Sequence, residues 1–146
     1  MTTTTAERRT GTQGIIERLL GARQEILVMF CQLAGMESQH EHDGEEQLLQ
    51  RFCELLVDYS AFAHFEIYER IIDGRERRSR VVDAAREVYP RIAEATEVAV
   101  AFNDKYDANE HELDMDRLAE DLSQLGEELA VRIEMEDRIV AALVDN

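Results

Sequence analysis

From Glu45 to Asp73 the chain runs without a glycine or a proline. Its middle, Phe52-Cys53-Glu54-Leu55-Leu56-Val57-Asp58-Tyr59-Ser60-Ala61-Phe62-Ala63-His64-Phe65, carries apolar residues on nearly every side of a helix. A surface helix keeps one wet face. This segment leaves almost none, so it is expected at the centre of a helical domain. Into that surround the sequence sets Asp58 and His64. Burying such groups is costly unless each finds a partner, which predicts either a satisfied polar network or a site around them.

The flanking segments keep the three-and-four spacing of helices. A first helix is expected over about 14–34, with Ile16, Leu19, Leu20, Arg23, Ile26, Leu27, Phe30 and Leu33 on its stripe and Gly35 as its stop. A second is expected over 45–72, ending before the turn pair Asp73-Gly74. The third starts near Ser79, a candidate N-cap. Its stripe (Val81, Ala85, Val88, Ile92, Ala95, Ala99, Phe102, Tyr106) continues across Pro90, which predicts a kink or a short break there and not a loop. The fourth is expected over about 113–144, on a seam of Met115, Leu118, Leu122, Leu125, Leu129, Arg132, Glu136, Ile139 or Val140, and Leu143. No segment alternates with period two over a strand's length. Four long helices with short connections predict an all-α chain folded as an antiparallel up-down four-helix bundle. Residues 1–12 are expected to be a disordered tail and 13–146 a single domain.

A chain of 146 residues, 45% apolar and 33% charged, has ordinary globular chemistry and the length for one core. No apolar run approaches the ~20 residues of a membrane span, and Met1 to Arg9 has no signal-like apolar stretch, so a cytoplasmic protein is expected. Cys31 and Cys53 each lie in an apolar helical pattern and read as core packing. The formal charge of −16 argues against a nucleic-acid binder, which needs clustered Lys and Arg, and against an anionic membrane surface. A basic protein partner would be steered toward it, although acidity also serves solubility alone. From 103 to 146 there are 14 acidic and 4 basic residues, a net of −10, whereas 70–91 holds 7 arginines and 4 acids, a net of +3. That arginine-rich connection reads as a solvated face.

Charges sit on the apolar stripes of three helices: Arg23 on the first, Asp58 and His64 on the second, Arg132 and Glu136 on the last. Tyr68 lies four residues beyond His64, on its helical face, and Arg132 and Glu136 are an i,i+4 pair. Arg23, Asp58, His64, Tyr68, Arg132 and Glu136 are therefore expected as a buried polar network, since paired charge is the form in which burial is tolerated. Such a network either fixes helix register or forms a polar cavity for a metal, a small ligand or a partner. A carboxylate-histidine metal site in a bundle wants Glu-x-x-His or His-x-x-x-Glu pairs on facing helices. The local hits are Glu37/His40 and His42/Glu46, at or beside a loop, and His64 has Ala61 and Tyr68 at those spacings. No metal or other cofactor is expected. His64 has no basic neighbour for phosphotransfer, no Ser or Cys stands in a catalytic setting, and His40, His42 and His111 read as solvated loop residues. No enzyme is expected.

The segment Leu56-Val57-Asp58-Tyr59, followed by His64-Phe65-x-Ile67-Tyr68-Glu69-Arg70, resembles the hallmark of the Rsd/AlgQ family, bacterial regulators of the primary sigma factor. Arg18 to Gly35 is similar to that family's first long helix, Tyr89-Pro90 through Asn103-Asp104 to its third, and Leu125-Gly126-Glu127 with Arg132-x-x-x-Glu136-Asp137 to its last. Where the family commonly has Gly before the motif His, this chain has Ala63, a change that favours helix. The resemblance implies an all-α anti-sigma regulator without catalysis. It would bind the primary sigma factor of RNA polymerase, including its promoter-binding region 4, and limit engagement with core polymerase, typically in stationary phase. Asp58, with Glu54, Glu66 and Glu69 along the same helix, is the expected acidic side of that interface.

Overall fold

The computed structural model describes the backbone of residues 5–39, 44–107 and 114–144, and the side chains of 11–35, 44–107 and 114–144. Every regular element in these residues is helical. The first helix, α1, runs Thr5–Gln39. It begins well inside the tail expected up to about Thr12, where Ala6-Glu7-Arg8-Arg9 is a run of good helix formers. It also passes through Gly35. That glycine does not take the left-handed conformation of a helix stop, whereas Gly44 (φ 78°) and Gly74 (φ 83°) do.

The second rod is α2 (Glu45–Ala63), a single π turn (His64–Tyr68) and α3 (Glu69–Ile72). Its outer bounds are those of the Gly- and Pro-free stretch. Left-handed Gly44 precedes it, Glu45 and Glu46 in its first turn suit the positive end of the helix dipole, and left-handed Gly74 follows its end.

Ser79 is the first residue of α4 (Ser79–Lys105), not its cap. The capping position is Arg78, in extended conformation. Of the kink or short break expected at Pro90, the break does not occur: α4 is one helix across it. Pro90 lies on the exposed side, where water can serve the carbonyl that its missing N–H leaves unpaired. The last helix, α5, runs Leu118–Val144, starting later than expected because Asp114 to Arg117 forms an irregular turn.

Neighbouring rods run antiparallel, as paired contacts at their two ends show. Phe30 meets Phe52 and Arg18 lies over Phe62 between α1 and α2. Phe52 meets Phe102 and Tyr68 meets Tyr89 across to α4. Lys105 pairs with Asp121 and Arg138 with Glu87 between α4 and α5. The ring closes where Arg23 of α1 pairs with Asp137 of α5. The result is the expected up-down four-helix arrangement. Its core is Leu19, Ile26 and Leu33, then Leu49, Phe52, Leu56 and Tyr59, then Val81, Val88, Ile92 and Phe102, then Leu118, Leu122, Leu125, Leu129 and Ile139. Each such side chain contributes ~1.5–3 kcal/mol by leaving water.

Two local features bring the rods together. At Gly126 an added Cβ would stand 2.7 Å from Phe30 Cζ, so the bare backbone of α5 is what lets the Phe30 ring of α1 close down. The arginine-rich connection, expected as a solvated face, also closes the far end of α5. Arg78 Nη1 donates to Leu143 O at 3.0 Å and Arg80 Nε to Ala142 O at 3.1 Å. Cationic donors on the last carbonyls answer both their unmet hydrogen bonds and the negative end of the dipole.

Candidate functional site

The helical period carries α5's seam into the core without regard to chemistry, and Arg132 (2% exposed) and Glu136 (1% exposed) arrive there together. Every rod answers them. From α2, Tyr59 OH donates to Glu136 Oε1 at 2.7 Å, and from the π turn Tyr68 OH donates to Glu136 Oε2. From α1, Arg23 Nη1 lies 3.4 Å from Glu136 Oε1 and 2.8 Å from Asp137 Oδ1. Arg132 Nε sits 3.7 Å from Glu136 Oε2 and 3.3 Å from Tyr59 OH, and its Nη1 donates to Thr96 Oγ1 of α4. The Arg132 guanidinium also lies 5.0 Å from the Tyr59 ring centre and 6.0 Å from that of Tyr68. Burial, and then the negative charge of Glu136, push both tyrosine hydroxyls above the ordinary phenol range, which keeps them neutral donors. A carboxylate with donors on both oxygens and a cation beside it is the satisfied form of buried charge.

Of the six residues expected in this network, Arg23, Tyr68, Arg132 and Glu136 are brought together; Asp58 and His64 are not. Both are exposed. Asp58 precedes Tyr59, and one residue along an α-helix is a turn of ~100°. With Tyr59 facing the centre, Asp58 lies off the buried face. His64 was expected on one face with Tyr68, but the π turn separates them, and its ring packs edge-on against exposed Phe65 instead. Tyr59, Thr96 and Asp137 complete the centre. Tyr59 was findable, since it lies three residues from Leu56 and four from Ala63 on the buried stripe and its hydroxyl needs a partner. Thr96 and Asp137 gave no comparable signal.

The same geometry corrects the reading of Phe52 to Phe65 as a segment with almost no wet face. Glu54, Val57, Asp58, His64 and Phe65 are all exposed, and they recur at helical spacing on one outer stripe. Val57 is 46% and Phe65 61% exposed, large values for apolar side chains beside a core. Glu54 is held by Arg51 at 3.1 Å. Asp58 makes no hydrogen bond or ion pair among the described residues. Glu66, one residue past Phe65, is exposed but lies off that stripe, and Glu69 is half-buried. An unpaired carboxylate flanked by bare apolar side chains is the composition of a docking surface: apolar anchors with charge around them.

The cysteines also divide. Cys53 is buried and its thiol is pushed up to about 12, by burial first and then by the negative charge of Asp107 and Glu54. Cys31, expected in the core, is exposed. A small cleft of about 60 Å³ lies at the end of the bundle among Thr12, Ile15, Glu66, Arg70 and Arg75, away from the ionic centre. Among the described residues no three His, Cys, Asp or Glu stand together as a metal site. Glu46 is exposed, while the Glu37 side chain, His40, His42 and His111 lie outside what the structure describes. No helix among the described residues is long and apolar enough to cross a membrane.

The chain matches, over residues 1–144, the family described as regulator of RNA polymerase sigma(70) subunit, Rsd/AlgQ. It is 36% identical over 140 residues to a regulator of sigma D from Yersinia enterocolitica, an alignment covering 92% of this chain and 83% of the relative. It is 36% identical over 146 residues to a regulator of sigma D from an Enterobacter species, covering 96% and 86%. A regulator of sigma D from Yersinia pestis is 34% identical over 140 residues, covering 92% and 82%. No solved structure matches the chain.

Proposed function

The chain belongs to the Rsd/AlgQ family of regulators of the RNA polymerase sigma(70) subunit, and from that premise we propose how it acts: it binds the primary sigma factor through the outer stripe of α2 and limits that factor's use by core polymerase. The observation that carries this is Asp58, exposed between Val57 and Phe65 and unpaired among the described residues, in the very segment whose residues resemble the family hallmark. Region 4 of a sigma factor presents a basic DNA-reading surface. Glu54, Asp58, Glu66 and Glu69 supply opposite charge, and Val57 and Phe65 supply apolar area to lose to water. Charge would set encounter rate and orientation, with the apolar anchors giving most of the affinity. The net charge of −16 favours the same partner over nucleic acid. The protein acts by occupancy, without catalysis, and meets RNA polymerase in the cytoplasm. The reading of the polar centre as a metal or small-ligand cavity loses ground, because the rods' own side chains occupy it.

Titration of purified sigma(70) with the full chain at rising salt tests this proposal. Complex formation is expected, with affinity falling as exposed opposite charges are screened over a Debye length of ~10 Å at 0.1 M salt. Asp58→Ala is expected to weaken binding about tenfold at unchanged melting temperature. Wild-type affinity in Asp58→Ala, or no complex at low salt, would remove the proposed face.

A further inference from the structure

The inference deepens the docking face just proposed and rests on that reading. Tyr59 and Tyr68 donate to the two oxygens of one carboxylate, Glu136 Oε1 and Oε2. They are nine residues apart on one rod. At ~100° per residue, nine residues of uninterrupted α-helix end half a turn from where they began, on the opposite side. Both hydroxyls reach Glu136 because the π turn His64–Tyr68 lies between them, closed by Glu69 N–H donating to His64 O across five residues. Such single π turns are uncommon and each takes up an extra residue within an α-helix. Relaxing this one to α geometry would rotate the rod beyond it by ~100° relative to α2. Tyr68 would leave Glu136, and Phe65, inside the turn, would shift relative to Asp58.

We propose that Tyr59, Tyr68 and Glu136 act as positioning residues for sigma binding: one carboxylate grips the rod before and after the docking segment and holds its π turn open. Glu136 is itself held by Arg23 at 3.4 Å and Arg132 at 3.7 Å, so the grip is anchored in α1 and α5. A buried group that no partner can touch thereby fixes the aim of Phe65.

Tyr68→Phe keeps the ring and removes only the hydroxyl, and the test uses the full chain. Amide hydrogen exchange at 64–69 is expected to speed up about tenfold with α4 and α5 unchanged, and affinity for sigma(70) to fall about tenfold. Phe65→Ala is then expected to cost less affinity in the Tyr68→Phe background than in the wild type. Tyr59→Phe removes the other half of the grip and should behave alike, which keeps the test open if one variant folds poorly. Arg91→Gln removes an α4–α5 pair with Glu128 that makes no contact with the centre and should leave affinity unchanged. Wild-type affinity in both Tyr→Phe variants, a uniform rise of exchange across all helices, or an equal loss in Arg91→Gln would overturn the proposal while wild-type binding upholds the docking face. Absence of binding by the wild-type chain would instead sink the docking face, and the inference with it.

Discussion

Glu136 and Asp58 are both carboxylates that spacing sets on apolar helix stripes, and the fold treats them in opposite ways. Glu136 is 1% exposed, with hydroxyls from Tyr59 and Tyr68 and guanidinium groups from Arg23 and Arg132 around it. Asp58 is exposed between Val57 and Phe65 and is matched by nothing within the described residues. The difference teaches that a place on an apolar stripe does not by itself mean burial. Charge that the bundle means to bury comes with partners drawn from every rod. Charge left unpaired beside bare hydrophobes is available to another molecule. The first set specifies how four helices register, and the second is where affinity can be found.

The contrast predicts opposite responses to removal. Glu136→Ala strips the partner from buried Arg132 and orphans two tyrosine hydroxyls, so denaturant unfolding should show a loss of about 3–5 kcal/mol. Asp58→Ala should stay within ~0.5 kcal/mol of wild type in the same measurement, as exposed positions do. Equal losses would erase the distinction between the two carboxylates. A smaller effect is expected at Gly126, where closure of Phe30 on α5 helps bring Arg23 of α1 to the centre. Gly126→Ala pushes a methyl toward the Phe30 ring, and overpacking should outweigh the better helix propensity by about 1 kcal/mol in thermal unfolding.

The cysteines repeat the contrast at the level of reactivity. At pH 8 an alkylating reagent should label exposed Cys31 quickly and leave buried Cys53 untouched, because only the thiolate reacts. The sign with pH follows from the same burial. The folded thiol of Cys53 is raised from 9.0 to about 12, so its contribution to stability is full below pH 9 and is lost as pH rises toward 12. Labelling of Cys53 at the rate of Cys31 in folded protein would contradict its placement.

Much of this was legible in the residues. The stripes of the third and fourth helices, the 45–72 rod and the charged seam Arg132/Glu136 follow from three-and-four spacing, which depends only on the helix being regular. What was not legible traces to departures from regularity or to tertiary choice. The π turn has no signal in spacing, and it is what brings Tyr68 in while His64, still in register with α2, stays out. Asp58 read as buried because Val57, Ala61 and Phe65 look like core, and only the placement of α1 and α4 decides which side of α2 stays wet. Gly35 read as a stop and Pro90 as a kink or short break, but a continuous helix tolerates both where packing outweighs a local cost.

The outer stripe of α2 is most directly tested by reversing its unpaired charge. Sigma(70) titrated calorimetrically at low ionic strength with wild type and with Asp58→Lys should show binding to the first and a loss of about a hundredfold in the second. The two proteins should have matching thermal unfolding. Equal affinity in the two, with both folded, would contradict the assignment of this face.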